Sequence, residues 1–76
     1  MKIYNSYMRL NLKLARIKYG LNQSELAKKI GVSQQTICKW ENGFSSPKRM
    51  THVKNLERLL HESKEVLFQD VFGDDC

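Results

Sequence analysis

Apolar side chains recur along this chain at intervals of three and four. Met8, Leu12, Ala15 and Tyr19 form one series, Leu26 with Ile30 and Ile37 with Trp40 form two short ones, and Met50, Val53, Leu56 and Leu60 form the last. That interval is the period of one face of a helix, so the pattern predicts an all-α chain with no strand. The polar residues between these series supply the stops and starts. A first helix from about Ser6 to Tyr19 ends at Gly20, which enters the left-handed region without a Cβ penalty. Asn22 is a good N-cap for the second helix, and Glu25, three residues on, is placed to bond back to it. The second helix ends at Ile30–Gly31, and Ser33 caps a third that stops at Asn42–Gly43. After the loop Phe44-Ser45-Ser46-Pro47, a fourth helix covers roughly Arg49–Leu60, and Ser63 starts a short fifth, Lys64 to about Phe68. The tail from Gly73 to Cys76 reads as frayed.

The junction between the second and third helices is the most informative part of this pattern. Only Gly31, Val32 and Ser33 separate them, and so short a turn opened by glycine forces a sharp crossing, the helix-turn-helix geometry. Over residues 23–42, Leu26, Ile30, Val32, Ile37 and Trp40 point inward, and Ala27 falls where the two helices approach most closely. Trp40, beside Ile37, is read as core rather than as a base-stacking ring. Gln34, Gln35, Thr36 and Lys39 remain on the outer face of the third helix. A helix fits the major groove, and a glutamine amide donates and accepts at once, matching adenine N6 and N7; one such pair discriminates by roughly 1–3 kcal/mol. Thr36 brings a methyl for a thymine methyl, and Lys39 a cation for guanine or phosphate.

Charge strengthens this reading. The 76 residues carry a net +5, but residues 1–54 hold eleven Lys/Arg against two acids, and residues 55–76 hold two against six. A basic body with an acidic end suits a polyanionic partner on one face. Lys48 and Arg49, after the loop, are candidates for a phosphate or an adjacent minor groove, whereas Lys13, Lys18, Lys28, Lys29 and Lys54 add to the general field. The longest apolar runs are two or three residues, and the start MKIYNSYMRL has no signal-peptide core, so a cytoplasmic protein is expected. Cys38 and Cys76 fit no metal spacing and read as free thiols; His52 and His61 read as surface residues without a catalytic or metal pattern. No nucleophile–base arrangement or phosphate-binding glycine loop is present, so neither an enzyme nor a cofactor site is expected.

The stretch LNQSELAKKIGVSQQTICKWENG resembles the helix-turn-helix of the Cro/C1-type (XRE) family, in particular that of lambdoid phage repressors, through LNQ-x-ELA, the turn glycine, the paired glutamines and ENG. The resemblance covers about residues 10–68 and implies a compact five-helix, lambda-repressor-like DNA-binding fold occupying the whole chain as one domain. It further implies that Gln23 bonds a phosphate and braces Gln34, that Gln34 reads an adenine, and that Gln35 and Lys39 meet the following base pairs. Asn42 is implied as a phosphate donor, and Arg16 with Glu41 as a largely buried salt bridge. The chain departs from the family pattern after Pro47: the approach to the fourth helix is one residue longer, and Glu62 stands where an aliphatic residue is usual.

The function expected is a sequence-specific transcriptional regulator, a repressor, binding a palindromic operator as a homodimer with half-sites roughly 34 Å apart. Leu59, Val66, Leu67, Phe68, Val71 and Phe72 exceed what so small a core needs and are the expected dimer surface. The alternatives are an antitoxin or similar regulator whose last two helices bind a partner protein, and a restriction–modification controller.

Overall fold

The computed structural model describes residues 9–72, leaving aside the side chains of Asp70 and Phe72. Every regular element in this span is helical: α1 Leu10–Lys18, α2 Gln23–Ile30, α3 Gln34–Glu41, α4 Met50–Leu60, α5 Lys64–Leu67 and α6 Gln69–Phe72. The expected start of the first helix at Ser6, Met8 and the tail from Gly73 to Cys76 lie outside the described residues.

The local signals act as the sequence suggests. Asn22 Oδ1 accepts from the Glu25 N–H at 2.7 Å, and Glu25 Oε1 accepts from the Asn22 N–H at 2.8 Å, so two otherwise unpaired donors at the start of α2 are satisfied together. Ser33 Oγ accepts from the Thr36 N–H at 3.1 Å and opens α3. Gly43, at φ +78°, closes α3: its N–H donates to Trp40 O and the Phe44 N–H donates to Lys39 O at 2.9 Å, the paired bonds of a Schellman motif.

Leu12, Leu26, Ile37, Leu56 and Phe68 have no exposed surface and form the centre of the core, with Ala15, Ala27, Ile30, Trp40, Leu60 and Leu67 around them. α2 and α3 pack most closely on each other; α5 is lodged between α1 and α4. Full burial of each large aliphatic or aromatic side chain contributes about 1.5–3 kcal/mol, so this one cluster carries most of the driving force.

Four expectations are corrected. Met50 is not a core residue: it is 50% exposed on the first turn of α4, and the burial begins at Val53. His52 is half-buried against the Trp40 ring, with centroids 5.9 Å apart, rather than a free surface residue. Ser63 makes no side-chain cap; the Glu57 carboxylate, from α4, accepts from the Lys64 N–H at 2.6 Å and caps α5 from a distance. Leu67 and Phe68, expected on a dimer face, are 1% and 0% exposed and have no free surface to offer. The short fifth helix had room for them on either side, but the turn at Phe68 between α5 and α6 drives both into the core. Of the other expected dimer residues, Val66 and Val71 are exposed, Leu59 is half-buried, and the Phe72 side chain is outside the described residues.

Candidate nucleic-acid interface

The turn between α2 and α3 sets the geometry of the site. Gly31 sits at φ +90°, and its N–H and that of Val32 both donate to Ala27 O, at 2.7 and 3.0 Å. A Cβ at Gly31 would meet nothing within 4 Å, so glycine is required by the backbone angle and not by space. Ala27, 2% exposed, lets the helices approach.

The far end of α3 is held by buried charge. Glu41 is 5% exposed and Arg16 8%. Arg16 Nε donates to Glu41 Oε2 at 2.5 Å and Nη2 to Oε1 at 3.2 Å, while Nη1 donates to Leu21 O at 2.8 Å. Gln23 Nε2 donates to the same Glu41 Oε1 at 3.1 Å. One carboxylate thus ties α1, the start of α2 and the end of α3 together. Arg9, 7% exposed, adds a second tie that the sequence pattern did not suggest: its backbone N–H donates to Glu41 O at 2.7 Å, and Nη1 donates to Trp40 O at 2.8 Å and Ser45 O at 2.5 Å, with the guanidinium 5.1 Å above the Phe68 ring. Two cations at the carboxyl end of α3 also suit the helix dipole.

With that end fixed, the amino end of α3 is left outward. Gln34 and Gln35 are exposed, and together with Gln23 and Cys38 they line a shallow hollow of about 370 Å³. Gln23 and Gln34 therefore share one concavity, but the Gln23 amide is engaged by Glu41 and no bond to Gln34 is present. Cys38, half-buried and lining the same hollow, is an addition to the predicted set; its place one helical turn after Gln34 was the available signal. Thr36 is half-buried and its hydroxyl is 2.9 Å from Ser33 Oγ, which leaves its methyl as the more available group. Lys39 is exposed one turn from Gln35.

Asn42 is turned back on its own helix. Its side-chain Nδ2 donates to Cys38 O at 2.9 Å, and its backbone N–H donates to the same carbonyl at 3.0 Å, so any phosphate contact competes with these bonds. Lys48 and Arg49 are exposed at the approach to α4. Phe44, 76% exposed, follows Gly43 and is positioned by its bond to Lys39 O; the glycine-closed helix end was the signal for an outward turn there. Among the described residues no group of three His, Cys, Asp or Glu is arranged to hold a metal ion, and no helix is long and apolar enough to cross a membrane.

Comparison with known proteins agrees with this arrangement. Residues 12–67 match the helix-turn-helix family HTH_3. A protein of Archaeoglobus fulgidus described as an uncharacterized HTH-type transcriptional regulator is 38% identical over 68 residues, covering 90% of this chain and 93% of that one. Antitoxin HipB of Escherichia coli is 44% identical over 59 residues, or 76% of this chain, which span 63% of HipB from strain CFT073 and 67% of HipB from strain K12. No solved structure gives a significant match.

Proposed function

The chain belongs to the helix-turn-helix family that its residues 12–67 match, a family of non-enzymatic DNA-binding transcriptional regulators, and on that premise we propose that it is a repressor that binds a palindromic operator as a homodimer, with α3 in the major groove. The observation that carries this reading is the hollow at the amino ends of α2 and α3, lined by Gln23, Gln34 and Gln35, on a helix whose other end is clamped by Arg16, Glu41 and Arg9. A rigidly held polar helix start is what base reading needs, because a bidentate contact rewards a fixed position.

In this proposal Gln34 and Gln35 read base edges, with Gln34 on an adenine; Thr36 offers its methyl and Lys39 its ammonium to the next base pairs. Gln23, Asn42, Lys48 and Arg49 meet phosphates, the two amides after exchanging their internal bonds. Phosphate contacts position the protein and base contacts specify the sequence, so the two sets are separable by experiment. Selection of bound sites from random DNA tests the whole reading. The expected result is a two-fold symmetric site with half-sites one helical turn apart, and Gln34→Ala should relax preference at one position of each half. Equal weakening on all sequences, with preference intact, would refute base reading by Gln34.

A second reading is favoured by the HipB relatives: a regulator that also binds a partner protein, as an antitoxin does. Co-purification with the product of the adjacent gene, together with neutralisation of that product's toxicity, distinguishes it.

A further inference from the structure

The first helix is apolar on two opposite faces. At about 100° per residue, Leu12, Ala15 and Arg16 fall on one side of α1 and are buried. Leu10, Leu14 and Ile17 fall on the other side and are 54%, 52% and 51% exposed. A helix on the outside of a small core needs one apolar stripe, and a second contiguous one marks a surface for association. Leu10, Leu14 and Ile17, spaced four then three, span one interval of seven residues on α1. A seven-residue repeat, 3.5 per turn, is the period of a seam between two helices that wrap each other.

The two edges of this stripe differ. On one edge lies α5: Asn11 Nδ2 donates to Val66 O at 3.2 Å, and Val66 and, beyond it, Val71 are 39% and 47% exposed. The other edge carries Lys13, exposed. Of the described charges beside the stripe, Lys13 stands on one edge, while Glu65, paired with Lys64, and Lys18 stand on the α5 edge. Glu65, exposed next to Val66, has its carboxyl held below the usual range by the backbone N–H at the start of α5 and by the Lys64 ammonium 3.1 Å away, so it is ionised at neutral pH.

We propose that this patch is where a second copy of the chain docks, α1 against α1 through Leu10, Leu14 and Ile17, with the Lys13 edge of each copy beside the Glu65–Val66 edge of the other. The proposal rests on the homodimer reading above and names its surface. Symmetry selects the arrangement. A two-fold axis parallel to α1 carries the partner's α5 to the opposite side of the seam, where Lys13 lies, and the contact is self-complementary. An axis across α1 sets α5 against α5 and Lys13 against Lys13, which brings like charges together. Lys18, on the α5 edge, has its ammonium 5.8 Å from the centre of the Tyr19 ring. The stripe also leaves the reading helix free, because the buried side of α1 is the one from which Arg16 reaches Glu41.

Sedimentation equilibrium of the full chain at micromolar concentration tests this, with circular dichroism as the folding control. Leu14→Glu should weaken the dimer at least tenfold while helicity stays unchanged, since the side chain is already half exposed in the single copy; Tm should fall only by the lost association and become independent of concentration. Lys13→Glu should weaken it several-fold, and adding Glu65→Lys to that variant should restore it. A dimer indifferent to Leu14→Glu and to the charge exchange overturns this surface and leaves the homodimer reading standing on another. A chain that is monomeric free and binds DNA as one copy overturns both.

Discussion

Replacing Glu41 by alanine should unfold much of the population near physiological temperature. Glu41 is 5% exposed and accepts from Arg16 at 2.5 and 3.2 Å and from Gln23 at 3.1 Å. Its removal leaves the Arg16 guanidinium buried with only the Leu21 carbonyl as acceptor. Breaking a buried ion pair from one side costs about 3–5 kcal/mol, because the remaining charge has neither water nor partner. At about 0.05–0.15 kcal/mol per residue, a 76-residue chain has roughly 4–11 kcal/mol in total, so the loss is a large share of it. Each kcal/mol moves Tm by about 4–8 °C at this size, which places the expected drop at roughly 12–40 °C. Thermal and urea unfolding followed by far-ultraviolet circular dichroism reads it directly. The companion variant Arg16→Met with Glu41→Leu removes both charges and should recover most of the stability, since a buried pair is often replaceable by apolar side chains at no net cost. Site preference of the single variant, selected well below its Tm, should be unchanged, because the carboxylate braces α3 and stands at its far end from Gln34. A Tm within about 4 °C of the parent, the shift of roughly one kcal/mol, would refute the clamp. A double variant as unstable as the single one would refute its electrostatic origin.

Three further outcomes rest on particular side chains. Gly31→Ala should cost about 1–2 kcal/mol by urea unfolding, the left-handed penalty alone, since its Cβ meets nothing within 4 Å; a cost several times larger would mean a steric role. Glu57→Ala should cost about 1 kcal/mol and speed hydrogen exchange at the Lys64 amide, which that carboxylate caps at 2.6 Å, whereas Ser63→Ala should have little effect. Operator affinity should fall steeply with salt, and replacing Lys48 and Arg49 by alanine should make the slope of log K against log salt shallower by about 0.9 for each phosphate they neutralise; an unchanged slope removes them from the phosphate set.

Several parts of the architecture are legible in the sequence alone. The capping box at Asn22 and Glu25, the Ser33 cap and the Gly20, Gly31 and Gly43 stops are decided within three or four residues, so local chemistry suffices to place α1 to α4. The outward face of α3 was legible for the same reason, since Ile37 and Trp40 leave Gln34, Gln35 and Lys39 no other side to occupy. The errors fall where a residue's neighbours are distant in sequence. Met50 continued an apolar series, yet no element lies over the first turn of α4 to cover it among the described residues. Leu67 and Phe68 looked surplus because a count of apolar residues does not say which ones the last turns tuck under α1.

Periodicity and caps therefore determined the helices, their order and the polar edge of α3, because each depends on one turn of backbone. Tertiary structure decided which polar groups were already occupied. Gln23 is held by Glu41 and Arg9 by the carbonyls of Trp40 and Ser45. It also decided that α1 keeps an apolar face with nothing on it among the described residues, since one side of that helix already completes the core. A side chain's hydrogen-bond partner and its cover are properties of whatever folds against it, and here those partners lie 18 to 36 residues away for Gln23 and Arg9.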